Sequence, residues 1–281
     1  MTVLRYTAFT SDPAGGNPAG VVLDASRLTY AEMQAIAADV GYSESAFLTS
    51  GTGGSDGVIP IRYFSPRAEV PFCGHATVAT AVALAERVGP GELVFSTQAG
   101  LVPVVVEESP DGLRATLTSV EPHVEEIDDI SDVLEILDWH EDEIDPALSP
   151  AIGYAGARHL IVSASTRQRL ADLNYDFDRL LAYMLQRDLT TLQLVWRESP
   201  TVFHVRDPFP VGGVVEDPAT GAAAAAFGAY LRERRLVEPP VVLTLHQGDD
   251  LGRPSRIQVE LRADDTRVRV SGSAVAITGL G

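Results

Sequence analysis

Val70-Pro71-Phe72-Cys73-Gly74-His75-Ala76-Thr77-Val78-Ala79-Thr80-Ala81-Val82-Ala83-Leu84 is the stretch on which the reading of this chain turns. A strand-like run, Ile61-Arg62-Tyr63-Phe64, leads through a Pro-bearing loop to Gly74. The residues after it are small and apolar with no charged face, the composition of a helix buried on all sides. Gly74 lets the backbone approach a ligand closely. His75 falls in the first turn, whose N–H groups lack internal partners and attract an anion. The chemistry to expect is a carboxylate pocket with a titratable imidazole at its lip.

The pattern recurs near the end of the chain, in Val214-Val215-Glu216-Asp217-Pro218-Ala219-Thr220-Gly221-Ala222-Ala223-Ala224-Ala225-Ala226-Phe227. A strand-like lead, Thr201 to Arg206, again enters a Pro-containing loop, and a Gly again opens a small-residue helix. Superposing Gly74 on Gly221 lays Cys73 over Thr220 and His75 over Ala222. Two related halves would aim two helix N-termini, each with partial positive charge, at one cleft. The alternative is that any buried Ala-rich helix needs small residues and a Gly at its end.

Outward from these helices, the chain of 281 residues, 45% hydrophobic, has enough core for two domains. No apolar run is long enough to span a bilayer, and Met1 to Tyr6 lacks a signal-like apolar region, so the expectation is a cytoplasmic protein away from membranes. The formal charge of −18 with no basic block argues against nucleic-acid binding. Much of the acidity lies between Glu121 and Asp145, where a solvated helix face explains it better than a metal site. All 21 basic residues are arginine. Without a lysine there is neither a pyridoxal-phosphate Schiff base nor a P-loop. A single cysteine, Cys73, excludes an intrachain disulfide, a cysteine-rich metal site and a two-thiol racemase.

Several shorter readings complete the order of elements. Val3 to Thr10 alternates as a strand, Asp12 to Gly20 reads as a loop, and Val21-Val22-Leu23 resumes a strand. Thr29 with Glu32 makes a capping box for a helix that stops near Gly41. Glu44, in Gly41-Tyr42-Ser43-Glu44-Ser45-Ala46-Phe47, stands at the next helix-to-strand junction. Burial there would raise its pKa toward neutrality, as a proton-transferring carboxyl needs; otherwise it is an exposed turn glutamate. Strands follow at Leu93 to Ser96, Leu101 to Val106, and Leu113 to Val120, with a domain boundary after them. Beyond it come a short helix at Ile130 to Leu137, strands at 157–162, 192–196 and 241–247, a helix at 175–185, and closing strands at 257–261, 268–271 and 274–278. The fold class is α/β, with each half a curved, mostly antiparallel sheet around its central helix.

The ordered set Gly16-Asn17-Pro18-Ala19-Gly20, Ser43-Glu44-Ser45-Ala46-Phe47, Cys73-Gly74-His75-Ala76-Thr77, Glu216-Asp217-Pro218-Ala219-Thr220-Gly221, and Gln247-Gly248 with Gly252-Arg253-Pro254-Ser255 resembles the PhzF-like proteins of the diaminopimelate-epimerase-like fold. The resemblance runs from about residue 3 to the end of the chain. It implies a cofactor-free and metal-free site between two similar, pseudo-twofold domains, 1–120 plus 273–281 and 121–272, a last strand returning to the first domain, and a homodimer. It also implies a catalytic glutamate at Glu44, assisted by His75 and Asp217. Substrate contacts would fall at Asn17, Cys73, Gly74, Ala76, Thr220, Gly221 and Ala222. Ala222 departs from the family's usual serine, and the absent hydroxyl is worth about 1 kcal/mol of substrate binding. Cys73, with apolar flanks and no thiol partner, reads as a packed thiol.

The resulting expectation is an isomerase in which Glu44 moves a proton between two positions of a small carboxylate-bearing substrate. An epimerase using Glu44 with Asp217 or His75, or a non-catalytic carboxylate binder, are the alternatives.

Overall fold

The computed structural model describes residues 2–50 and 57–278. Its contacts divide the chain into two compact units, Met1–Thr118 with Ser271–Gly281, and Ser119–Val270. Residues 279–281, which close the first domain in the sequence reading, lie outside the described residues.

The first unit runs β1 (Leu4–Ala8), β2 (Asn17–Val22), α1 (Tyr30–Val40), β3 (Glu44–Leu48), β4 (Val58–Phe64), β5 (Glu69–Val70), α2 (Gly74–Val88), β6 (Gly91–Thr97), β7 (Gly100–Ser109) and β8 (Gly112–Thr118). α2 packs against β1, β2, β3, β7 and β8, and every residue from His75 to Ala85 is buried. Small side chains let strands approach it on all sides, and each buried Val or Leu adds roughly 1.5–3 kcal/mol of apolar transfer. α1 covers the other face of the sheet through Met33 and Ala37, packed on Val22, Phe47 and Phe64. β3 therefore has helices on both faces and is buried along its whole length. The Thr29–Glu32 capping box and the left-handed Gly41 stop bound α1 as the sequence led us to expect.

The second unit runs β9 (His123–Glu126), α3 (Ser131–Leu137), β10 (Ala151–Tyr154), β11 (Arg158–Ser163), α4 (Arg167–Ala171), α5 (Phe177–Gln186), β12 (Thr191–Arg197), β13 (Val202–Pro208), β14 (Glu216–Asp217), α6 (Gly221–Glu233), β15 (Val241–Gln247), β16 (Ser255–Leu261) and the start of β17 (Val268–Ala276). α6 packs against β9 to β12 and β16. On the opposite face Leu134, Leu137, Leu180 and Met184 join Leu160, Val162, Leu192 and Leu194 in a second core.

Strand sense repeats between the units. β1–β2 is antiparallel, β2–β3 parallel, β3–β4 antiparallel, β4–β6 parallel and β6–β7 antiparallel. The series β10–β11, β11–β12, β12–β13, β13–β15 and β15–β16 follows the same order. In each unit a two-residue strand, β5 or β14, pairs with the strand before the central helix. The superposition of Gly74 on Gly221 is thus one of two equivalent helix starts.

Three readings need correction. The strand read from Val21 already begins at Asn17, so 17–20 is strand rather than loop, because β2 pairs with β1 from Asn17 onward. Pro18 is tolerated there because it precedes Ala19, where pairing with β3 begins. The strands read at 268–271 and 274–278 are one, β17. Gly272 does not break it; a Cβ there would lie 2.3 Å from the Phe9 ring, so the glycine makes room for a core side chain. The acidic stretch also conceals β9, paired with β10. Among the described residues no helix is long and apolar enough to cross a membrane.

Candidate active site

In the first unit the ends of three elements meet. Asn17 opens β2, Glu44 opens β3 beside Ser43, and Cys73 is the N-cap of α2 with His75 two residues on. The parallel pairing of β2 with β3, which sets Ala19 against Glu44, brings the first two strand starts together. Glu44 is 9% exposed, His75 4% and Asn17 1%, so Glu44 is no exposed turn residue. Its Oε2 lies 3.5 Å from His75 Nε2.

The imidazole is oriented from its far side. Asn17 Nδ2 stands 3.1 Å from His75 Nδ1. An amide NH2 only donates, so Nδ1 accepts and the ring proton sits on Nε2, facing Glu44 and the Ser43 hydroxyl 3.4 Å away. Burial pushes the Glu44 carboxyl up, against smaller opposing hydrogen bonds from Ser43 and Cys73. Burial also pushes His75 down to about 3. The contact is therefore a neutral imidazole beside a carboxyl of raised proton affinity, not an ion pair.

Cys73 supplies no side-chain cap to α2. The first helical bond runs from Thr77 N–H to Cys73 C=O, so the amides of Gly74, His75 and Ala76 precede the helical ladder. Ala76 is fully buried. Cys73 Sγ lies 3.4 Å from His75 Nδ1 and 3.8 Å from Nε2. Ligand atoms of Glu44, Cys73 and His75 all fall within 4.8 Å of one another.

The second unit builds the corresponding helix start with other side chains. Thr220 Oγ1 donates to Asp217 Oδ2 at 2.6 Å. Gln247 ties the turn together: its Oε1 accepts from Thr220 N–H at 2.9 Å, and its Nε2 donates to Asp217 C=O at 2.8 Å. Ser255 Oγ donates to Pro218 C=O at 2.8 Å. Gly248, at φ +77°, comes so close that a Cβ would lie 2.8 Å from Pro218 O. The late motif Gln247-Gly248…Ser255 thus braces the loop carrying Asp217, a role sequence reasoning did not assign. The amides of Gly221, Ala222 and Ala223 precede the first bond of α6, Ala224 N–H to Thr220 C=O. Asn17, Cys73, Gly74, His75 and Ala76 thus gather with Glu44 in the first unit, while Asp217, Thr220, Gly221 and Ala222 gather in the second.

An ion pair is duplicated with the helices. Arg62 grips Glu69 through Nε and Nη2 at 2.6 Å each, and Arg206 grips Glu216 at 2.9 and 2.5 Å. Each pair ties the strand before the loop to the short strand that leads into the central helix.

The family model described as phenazine biosynthesis-like protein matches residues 6–279. The chain is 32% identical to trans-2,3-dihydro-3-hydroxyanthranilate isomerase of Pseudomonas fluorescens, over 95% of this chain and 94% of that one. It is 30% identical to the uncharacterized isomerase YfhB of Bacillus subtilis, over 98% and 95% of the two chains. Among solved structures, the PhzF-family phenazine biosynthesis protein of Bacillus anthracis superposes with a TM-score of 0.88 at 27% identity, covering 98% of this chain and 96% of that one.

Proposed function

The chain belongs to the phenazine biosynthesis-like family and is an isomerase, and from that premise we propose that it moves a proton between two positions of a small carboxylic acid, with Glu44 as the acid/base group. The observation that carries this reading is the 3.5 Å contact between Glu44 and a neutral His75 at the start of α2. A carboxyl held in apolar surroundings gains proton affinity, which suits a group that must take a proton from carbon and return it near neutral pH.

In this mechanism the substrate carboxylate rests on the amides that open α2, where fixed N–H dipoles also stabilise negative charge developing next to it. Glu44, ionised, takes the C–H proton; the electron pair moves into the adjacent π system. The protonated Glu44 then delivers that proton to a second carbon on the same face. One base on one face gives a positional isomer with no inverted centre. His75 presents Nε2–H to a substrate oxygen, and Asn17 keeps that proton on Nε2. Asp217, buried and held by Thr220, is the acid of the equivalent helix start in the second unit.

The substrate named for the Pseudomonas fluorescens relative is the first probe, followed by a panel of small unsaturated carboxylic acids. Product identity and chirality are read by NMR and chiral chromatography. The proposal expects a positional isomer, and a loss of about 10²- to 10⁴-fold in Glu44→Gln. A Glu44→Gln enzyme at wild-type rate removes Glu44 as the base, and an inverted substrate replaces the single-base scheme with an epimerase.

A further inference from the structure

The second unit carries an acid pair that the first unit lacks. Asp207 of β13 and Asp217 of β14 are directly opposed in the antiparallel register. Opposed residues send their side chains to the same face, with Cβ atoms about 4.5–5.5 Å apart. In the first unit the equivalent pair is Tyr63 and Val70, next in sequence to Arg62 and Glu69 as Asp207 and Asp217 are to Arg206 and Glu216. That unit builds the same strand pairing without charge, so the pairing itself does not call for two carboxyls. Arg62 stands opposite Phe47, and Arg206 opposite Leu194. Counting back the same distance along β3 and β12 puts Thr191 at the place of Glu44. The second unit therefore has a hydroxyl where the first has its glutamate, and that hydroxyl donates to Asp207 at 3.1 Å.

Both acids are shut away from water, Asp207 at 0% exposure and Asp217 at 5%. Donors crowd one oxygen of Asp207. Thr191 donates to Oδ1 and takes the Nδ1–H of His159 at 2.8 Å, while the Gln193 amide, its nitrogen turned inward, donates to Oδ1 at 2.9 Å and to Oδ2 at 3.3 Å. Asp217 Oδ2 receives the Thr220 hydroxyl at 2.6 Å. The titratable groups around Asp207 are Asp217 and Glu216 on β14 and His159 on β11. His159 is neutral, pushed down to about 3 by burial, and Glu216 is gripped by Arg206. The opening of α6, which packs on β11 and β12, is glycine and alanine and brings no charge. Two like charges in so dry a place cannot both ionise, and one proton stays with the pair. Asp207 keeps it: burial first, and then the facing Asp217, hold its carboxyl well above the ordinary aspartate range.

We infer that Asp207 is a positioning residue for Asp217: its carboxyl retains a proton on Oδ2 and donates it to the Asp217 carboxylate. Thr220 then holds one oxygen of Asp217 and Asp207 the other, so the acid ahead of α6 is kept as a single, oriented anion. The two carboxyls titrate as a unit. Only the consequence for turnover rests on the function proposed above; the shared proton does not.

Labelling the aspartate carboxyl carbons of the full chain lets NMR follow these protons and leaves Glu44 silent. One aspartyl carboxyl should remain protonated near neutral pH, and Asp207→Asn should lack it. In Asp217→Asn it should titrate at lower pH, because the facing charge is gone, yet above the ordinary aspartate value, because burial remains. Full ionisation of every aspartate near neutral pH, or an Asp207 titration that Asp217→Asn leaves in place, overturns the proposal. Turnover supplies the second readout. Asp207→Leu should lose about tenfold to a hundredfold, the worth of one hydrogen bond to a charged group. Asp207→Asn can turn its oxygen to Thr191 and Gln193 and its NH2 to Asp217, and should recover most of that loss. An asparagine variant as slow as the leucine one, both folded by circular dichroism, overturns the positioning role. A retained proton beside wild-type turnover in Asp217→Asn also overturns that role, and leaves the Glu44 reading standing.

Discussion

The Asn17 side-chain amide stands with Nδ2 3.1 Å from Nδ1 of His75, an arrangement that matches an imidazole carrying its proton on Nε2. The donor is on the amide, so Nδ1 accepts and Nε2–H faces Glu44. Asn17→Asp replaces that donor with an acceptor and should move the ring proton to Nδ1. Nitrogen NMR of the His75 ring is the check: Nε2 protonated in the wild type, Nδ1 in the variant. The variant should also lose about 10–100-fold in turnover, a positioning effect acting through His75. An unchanged tautomer means Asn17 does not orient the ring.

Glu44 should be a residue that lowers stability for the sake of chemistry. Its carboxyl is raised by burial, so the unfolded chain gives up the proton at lower pH than the native one. Native stability is therefore lost as pH rises from the unfolded value near 4.3 through the folded pKa, at about 1.4 kcal/mol per unit of difference. Glu44→Gln removes that loss. Urea unfolding should find the variant more stable than the wild type at pH 8 and closer to it at pH 4, while turnover collapses. Equal differences at both pH values contradict the raised carboxyl.

A second buried carboxyl gives an independent test of the same linkage. Asp207 accepts from Thr191 Oγ1 at 3.1 Å, and Thr191 is bonded in turn to His159 Nδ1 at 2.8 Å. The Gln193 amide, with its nitrogen turned toward Asp207, donates at 2.9 and 3.3 Å. Burial first, and then Asp217 opposite it in the β13–β14 register, raises Asp207 well above the ordinary aspartate value. The sign matches that of Glu44: stability falls as pH climbs through the folded pKa. Asp207→Asn should flatten the pH dependence of unfolding. Asp207→Leu, which orphans the Thr191 and Gln193 donors, should lower stability by about 2–6 kcal/mol. A leucine variant as stable as the asparagine one would show that the network contributes nothing.

The duplicated ion pairs should differ in weight because they differ in burial. The Arg206 and Glu216 side chains are 10% and 1% exposed, against 32% and 11% for Arg62 and Glu69. Removing one member of a buried pair strands the other charge, at a cost of about 3–5 kcal/mol, whereas the more exposed pair is screened by water. Arg206→Met should therefore destabilise more than Arg62→Met in denaturant melts. Arg206→Met with Glu216→Leu should recover much of the loss. The reverse order of the single variants contradicts this ranking.

What was legible in the sequence was local. Gly74 and Gly221 announce two buried helices because small residues and a glycine start are written contiguously, and Thr29 with Glu32 announces a helix start for the same reason. The residues around the chemistry are brought together by register. Asn17 reaches His75 because α2 packs on β2, and Glu44 joins them because β2 lies parallel to β3, which sets Ala19 against Glu44. The His159–Thr191–Asp207 network needs β11 parallel to β12 and β13 beside it. Gln247 was quoted in a motif, yet its brace on Thr220 depends on a fold that brings the end of β15 beside the loop before α6. The break read between 271 and 274 is absent because Gly272 lies inside the strand, where it makes room for Phe9, a contact between distant parts of the sequence.

The most direct measurement of the whole account is turnover of the dihydro-hydroxyanthranilate probe in deuterated water, with label located in the product by NMR and mass spectrometry. The wild type should place at most one deuterium, at the carbon that gains hydrogen and on one face, and Glu44→Gln should form labelled product about 10²- to 10⁴-fold more slowly. Label appearing in Glu44→Gln at the wild-type rate, or on both faces of the product, would contradict a single glutamate carrying the proton.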